Sequence, residues 1–154
     1  MRLLIDGDAC PDRQKVIELA LHYGVEVLLF IDFAHVIEDE RIQIIMCEVG
    51  KDSVDQMILS YLQEGDLLIS QDYGLASLAL LKKVTILHVS GKRITEDNIN
   101  NLLTSRYLGH LSRKQHKHVK GSKKRNYRTT QFFLRELEKI FIENKINEEK
   151  AILE

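Results

Sequence analysis

Cysteine and proline are scarce in this chain of 154 residues: two cysteines, Cys10 and Cys47, and one proline, Pro11. The cysteines lie far apart with no CxxC spacing, which excludes a disulfide framework and a thiolate zinc site. Low proline and only eight glycines exclude collagenous and low-complexity classes. No apolar run exceeds Val27 to Ile31, far too short to span a bilayer. The opening Met1-Arg2-Leu3-Leu4-Ile5-Asp6 meets a carboxylate before a signal-peptide core can form, so a cytoplasmic protein is expected. Neither GxxxxGK[ST] nor GxGxxG occurs, which removes the P-loop and dinucleotide-binding readings. What remains, 44% hydrophobic and 29% charged residues, is an ordinary globular composition with enough chain for one core.

Acids are missing from one stretch. Between Arg113 and Arg128 there are eight bases (Arg113, Lys114, Lys117, Lys120, Lys123, Lys124, Arg125 and Arg128) and no Asp or Glu. The rest of the chain holds fourteen bases against twenty-three acids, so a net charge of -1 conceals an acidic body carrying a basic segment. Such a segment suits a polyanion such as nucleic-acid phosphates, or simply a solvated surface loop. His110, His116 and His118 fall in or beside it without cysteine or acid partners, and read as solvated residues more readily than as zinc ligands.

The apolar pattern alternates between strand-like and helix-like. Leu3-Leu4-Ile5 reads as a buried strand ending in Asp6-Gly7-Asp8, and Pro11 precedes a helical face of Val16, Ile17, Leu19, Ala20 and Tyr23 closed by Gly24. Val25 to Ile31 and Ile42 to Cys47 read as strands, and Asp52 to Leu62 as a helix. The strand Leu67 to Ile69 is followed by Asp72, then a short helix over Leu75 to Leu81 and a strand over Val84 to Val89. Thr95-Glu96-Asp97-Asn98 opens a helix with Ile99, Leu102, Leu103 and Leu108, and Phe132 to Ile142 forms a last amphipathic helix with a frayed tail from Asn144. Alternating strands and helices predict a three-layer α/β/α fold with a mainly parallel central sheet. The expected division is an α/β domain over 1–109, a basic loop over 110–128, and a C-terminal helix over 129–154 packed on the same domain.

In open parallel sheets ligands bind beyond the carboxyl ends of the strands. Asp6 and Asp8 follow the first strand there, Asp72 follows the strand at 67–69, and Asp52 and Asp55 open a helix entered from the same edge. Gathered carboxylates repel one another unless a hard cation such as Mg²⁺ or Mn²⁺ neutralises them, and such an ion would favour hydrolysis of a phosphodiester. Singly, Asp6, Asp8 and Asp66 also suit turns and Asp52 an N-cap. Lys92 and Arg93 follow a strand end and are candidate phosphate ligands, whereas Lys51 reads as surface charge. Thr95 suits an N-cap, Asp97 is a further candidate to touch a metal-bound water, and Cys10 reads as packing because no His or Asn partner pattern supports a nucleophile.

Asp6-Gly7-Asp8-Ala9-Cys10-Pro11, Ile69-Ser70-Gln71-Asp72-Tyr73-Gly74-Leu75-Ala76 and Gly91-Lys92-Arg93-Ile94-Thr95-Glu96-Asp97-Asn98-Ile99 together resemble the YaiI/YqxD family of bacterial proteins, over nearly the whole chain. The chain departs from the family pattern at Gly7, at Tyr73-Gly74 and at Thr129-Thr130, where an Asp-Arg pair is expected. That family resembles PIN and NYN nuclease domains, and the resemblance implies a PIN-like fold holding Mg²⁺ or Mn²⁺ with acids matching Asp6, Asp55 and Asp72, and Asp8 as a fourth. It also implies single-stranded nucleic acid, RNA first, as partner. Three functions from different classes follow: a metal-dependent nuclease; a non-catalytic nucleic-acid-binding protein with a cation in its acidic site; and a haloacid dehalogenase-like phosphatase using Asp6 in Asp6-Gly7-Asp8, whose later motif positions fit poorly.

Overall fold

The computed structural model describes residues 1–34, 37–50, 52–114 and 125–153. Its centre is a six-stranded sheet formed by β1 (Arg2–Asp6), β2 (Glu26–Asp32), β3 (Gln43–Cys47), β4 (Leu67–Ile69), β5 (Thr85–Leu87) and β6 (Arg93–Ile94). The order is β3-β2-β1-β4-β5-β6; every pairing is parallel except β5 with β6. The helices are α1 (Arg13–His22), α2 (Ser53–Tyr61), α3 (Tyr73–Ala79), α4 (Ile99–Lys114) and α5 (Tyr127–Leu153).

Because both faces are covered, the strands are apolar throughout, yet the two-residue period still sorts their side chains. Leu3, Ile5, Val27, Leu29, Ile31, Leu67 and Ile69 enter one core with Val16, Ile17 and Ala20 of α1 and Phe133, Leu137, Ile140 and Phe141 of α5. Leu4, Leu28, Phe30 and Leu68 enter the other with Val54 and Ile58 of α2, Leu75, Ala76 and Ala79 of α3, and Ile99 of α4. The predicted three-layer arrangement and mainly parallel sheet are therefore present. The antiparallel β6 was not foreseen: Gly91, at φ +92°, turns the chain back, and its amide and the Lys92 carbonyl bond to the backbone of His88. A Cβ there would stand 2.5 Å from the Phe132 ring, so the turn also requires glycine for space.

The chain runs outward from β1 to β2 and β3, then crosses back to place β4 on the other side of β1. The reversal of strand order between β1 and β4 opens a crevice at their carboxyl ends, where Asp6 and the residues after Ile69 stand. At the opposite end of β1, Arg2 grips the buried Asp66 with two hydrogen bonds, of 3.1 and 2.6 Å, and donates a third of 2.7 Å to the Tyr61 carbonyl. Asp66 also accepts the Gln63 amide at 2.8 Å, so this acid locks the turn into β4, far from the crevice.

Two boundaries differ from the sequence reading. The basic loop expected over 110–128 is helical at both ends, since α4 continues through Lys114 and α5 starts at Tyr127. Nothing in His110-Leu111-Ser112-Arg113-Lys114 breaks a helix, and its terminal bases favour the negative end of the α4 dipole. Asn126 starts α5: its Oδ1 accepts the Thr129 amide at 3.0 Å. The tail is not frayed either. α5 continues to Leu153 on good helix formers, with Asn144 bonded to Glu148 one turn on.

Candidate functional site

Asp6 closes β1 two residues beyond Leu4, on the sheet face that packs against α2 and α3. It is only 8% exposed, and it accepts a 3.1 Å hydrogen bond from the Ser70 hydroxyl. Gly7 lets the chain turn there beneath β2, because a Cβ at this position would stand 2.5 Å from Ile31 Cγ2 and 2.7 Å from the Phe30 carbonyl oxygen. The next residues form a single 3₁₀ turn, Gly7–Ala9, which carries the exposed Asp8.

Ser70 is buried directly after β4, and its Oγ does two jobs. It donates to Asp6 and accepts the Asp72 amide at 3.0 Å, tying the ends of β1 and β4 together. Asp72 then occupies the N-cap of α3, its Oδ1 accepting the Leu75 amide at 3.1 Å. Asp55 arrives from the first turn of α2, with its carboxyl beside that of Asp72. The Asp52 side chain makes no capping bond at the start of that helix; instead its charge adds to the repulsion on Asp55.

The crowding is visible in the acidities. Burial foremost, with the charges of Asp8 and Asp72, pushes Asp6 up to about 6 against the relief given by Ser70. Asp55 is pushed up to about 7, first by burial, then by its hydrogen bond to Asp72 and by the charges of Asp72, Asp6 and Asp52. Arg106 of α4 is an opposing charge, with its guanidinium 3.8 Å from Asp72 Oδ1. Beside Asp72 the Tyr73 ring stacks on His88, with centroids 5.5 Å apart. Burial, Arg125 and Lys92 hold His88 below its ordinary range, and its Nδ1 accepts the Ser90 amide.

The structure thus sets Asp55 beside Asp72 and links Asp6 to the Asp72 backbone through Ser70, with Asp8 acting on Asp6 through its charge. Their donors are all carboxylate oxygens, the set a hard divalent cation prefers. Among the described residues no three acidic, histidine or cysteine side chains form a ready-made cage for an ion. Asp97 is exposed in the turn before α4. Next to Asp8, an open groove of about 640 Å³ runs along Gly7, Cys10, Pro11, Arg13 and Lys15. Cys10 is packed in the core with its thiol pushed up to about 12 by burial, so it is no nucleophile.

The basic candidates divide. Lys92, Arg113, Lys114 and Arg128 are exposed. Arg93 is engaged by Glu143 of α5, at 3.2 and 3.1 Å. Arg125 is not an open phosphate ligand. Its guanidinium pairs with Asp12, donates to the Val89 carbonyl at 2.6 Å and lies over the Phe133 ring. The buried Thr130 hydroxyl bonds to the same Asp12, so the start of α5 is clamped onto the start of α1. Lys117, Lys120, Lys123, Lys124, His116, His118 and Lys51 lie outside the described residues.

Sequence reasoning missed Ser70, Arg106, Asp12 and the Tyr73–His88 stack. A small hydroxyl ending an apolar strand two residues before an acid was the available signal for Ser70. Arg106 had none, because its nearness to Asp72 depends on how α4 crosses α3.

The model of the family described as "Uncharacterized BCR, YaiI/YqxD family" matches residues 4–143. A UPF0178 protein of Natranaerobius thermophilus is 39% identical over 127 residues, covering 82% of this chain and 86% of the relative. A UPF0178 protein of Bacillus cereus strain AH187 is 40% identical over 126 residues, covering 80% and 86%. Among solved structures, Rae1 (YacP) from Bacillus subtilis aligns with a TM-score of 0.45 at 15% identity, covering 75% of this chain and 84% of that one. Among the described residues no helix is long and apolar enough to cross a membrane.

Proposed function

This chain belongs to the YaiI/YqxD family, and from the site its residues build we propose that it is a PIN-like, Mg²⁺- or Mn²⁺-dependent nuclease that hydrolyses phosphodiester bonds in single-stranded RNA. The observation that carries the reading is that Asp6, Asp55 and Asp72 come from three separate segments to the reversal of strand order, where burial first and then the neighbouring acids raise Asp6 to about 6 and Asp55 to about 7. Acids held against their own repulsion, with an exposed arginine opposite, suit a cation and an anionic substrate.

Asp6, Asp8, Asp55 and Asp72 would hold the ion, which when bound supplies positive charge to a phosphodiester oxygen and lowers the pKa of a coordinated water. Ser70 fixes the Asp6 carboxylate, and the cap bond from Leu75 fixes Asp72. Lys92, Arg113, Lys114 and Arg128 would attract the phosphate backbone, and the same role is assigned to Lys117, Lys120, Lys123 and Lys124. The choice of RNA follows the family resemblance.

The test is cleavage of end-labelled single-stranded RNA and DNA with Mn²⁺, Mg²⁺ or EDTA, comparing the parent with Asp6→Asn and Asp72→Asn. Metal-dependent products lost in both variants are expected. Products that persist in both would refute the assignment, and salt-sensitive binding of RNA without products would establish a non-catalytic binding protein instead.

A further inference from the structure

The acid-free part of the chain is longer than its basic segment: from Asn98 to Arg135 there is no Asp or Glu. That interval contains the whole of α4, which rests on the fold along one side and exposes Arg106, His110 and Arg113 on another. Ile99 is buried and Leu102 and Leu103 are partly buried, whereas Arg106, Tyr107, Leu108 and His110 are all exposed. Arg106, His110 and Arg113 recur at i, i+4 and i+7 and share one face of the helix, extending over roughly 10 Å of its length. The face starts at the acid cluster, where Arg106 meets Asp72.

We propose that this face of α4 is the track on which a single strand of RNA enters the acidic site, with Arg106 taking the phosphate next to the bond to be cut. The proposal rests on the nuclease reading for its direction, since it places the strand so that it leads to Asp72. Three observations carry it. Arg106 is 59% exposed and faces Asp72 at 3.8 Å, an ion pair without a hydrogen bond, so its planar donors can close on a nearer phosphate oxygen. Arg113 folds back along the helix: its Nη1 lies 3.6 Å from where a Cβ on Gly109 would stand, which brings the guanidinium one turn nearer to Arg106. Tyr107, 61% exposed beside Arg106, offers an aromatic ring for a base while the arginines hold the backbone. The face is complementary to a polyanion along its whole length, because no acid of α4 interrupts it.

The experiment separates binding from cleavage. Binding of a short end-labelled poly(U) strand to the full chain is followed by fluorescence anisotropy in EDTA across a salt series, for the parent, Arg106→Ala, Arg113→Ala and Lys139→Ala. Lys139 pairs with Glu136 on α5 and controls for loss of one positive charge. Arg106→Ala should weaken binding about tenfold and lower the slope of log affinity against log salt by about 0.7. Arg113→Ala should act in the same direction, and Lys139→Ala should bind as the parent does. Parent-like affinity and slope in both arginine variants, with unaltered urea midpoints, would overturn the track. Cleavage of the same strand with Mn²⁺ is measured in parallel. Arginine-dependent binding without products leaves the track standing and removes the nuclease reading; products formed at parental kcat/KM by Arg106→Ala do the reverse.

Discussion

Replacing Asp6 by Asn should make the metal-free protein more stable, by an amount that depends on pH. In the folded chain this carboxyl sits at about 6 against an ordinary 3.8, chiefly because it is buried. Below about pH 3 it is protonated in both states and opposes nothing. As pH rises through this window the unfolded chain ionises first, so the unfolded state gains, and the loss levels off once the folded carboxyl has also ionised above about pH 6. The interval between 3.8 and about 6 corresponds to about 3 kcal/mol. Asn is nearly isosteric and can still accept the Ser70 hydroxyl, but its amide N–H₂ must find an acceptor in a buried site, a cost that is the same at every pH. The informative quantity is therefore the difference between variant and parent, which should grow by about 3 kcal/mol between pH 3 and pH 7.5. For a chain of this size that is roughly 6–12 °C of Tm. Removing the Asp6 charge also relieves Asp55, which adds to the effect. Urea or thermal melts in EDTA at several pH values measure it. A stability difference that does not change with pH would refute the reasoning, because it would mean that the Asp6 carboxyl is not held against its own ionisation.

Ser70→Ala removes the hydrogen bond that favours the ionised Asp6, so the acidic limb of a pH profile of metal-dependent cleavage should move to higher pH, with Ser70→Thr restoring it; an unmoved limb would show that Ser70 serves only the fold. Asp66→Ala leaves Arg2 without its buried partner and opens the turn before β4, so it should cost about 3 kcal/mol in urea denaturation while RNA binding per folded molecule stays at the parental value. Gly7→Ala forces a methyl against Ile31 and the Phe30 carbonyl and should cost about 2 kcal/mol, measured the same way; a neutral effect would mean that β2 yields at this point.

Much of the fold was present in the local pattern. The apolar triplets Leu3-Leu4-Ile5 and Leu67-Leu68-Ile69, set between amphipathic helices, can be buried only in a sheet covered on both faces, and a parallel sheet places Asp6 and Asp72 at one edge of it. Period, turn chemistry and strand ends are local properties, so the sequence alone determined the three layers and the acids beyond the strand ends. Strand order is not local. The crossover that sets β4 beside β1 brings Ser70 between Asp6 and Asp72, and the passage of α2 and α4 over that edge supplies Asp55 and Arg106. The basic residues show the same limit. Arg125 looked like its lysine-rich neighbours in composition, and only the packing of α5 against α1 turned its charge inward onto Asp12. Composition fixes which charges a segment carries, but the free energy of each charge depends on burial and on partners distant in sequence, and those exist only in the folded chain.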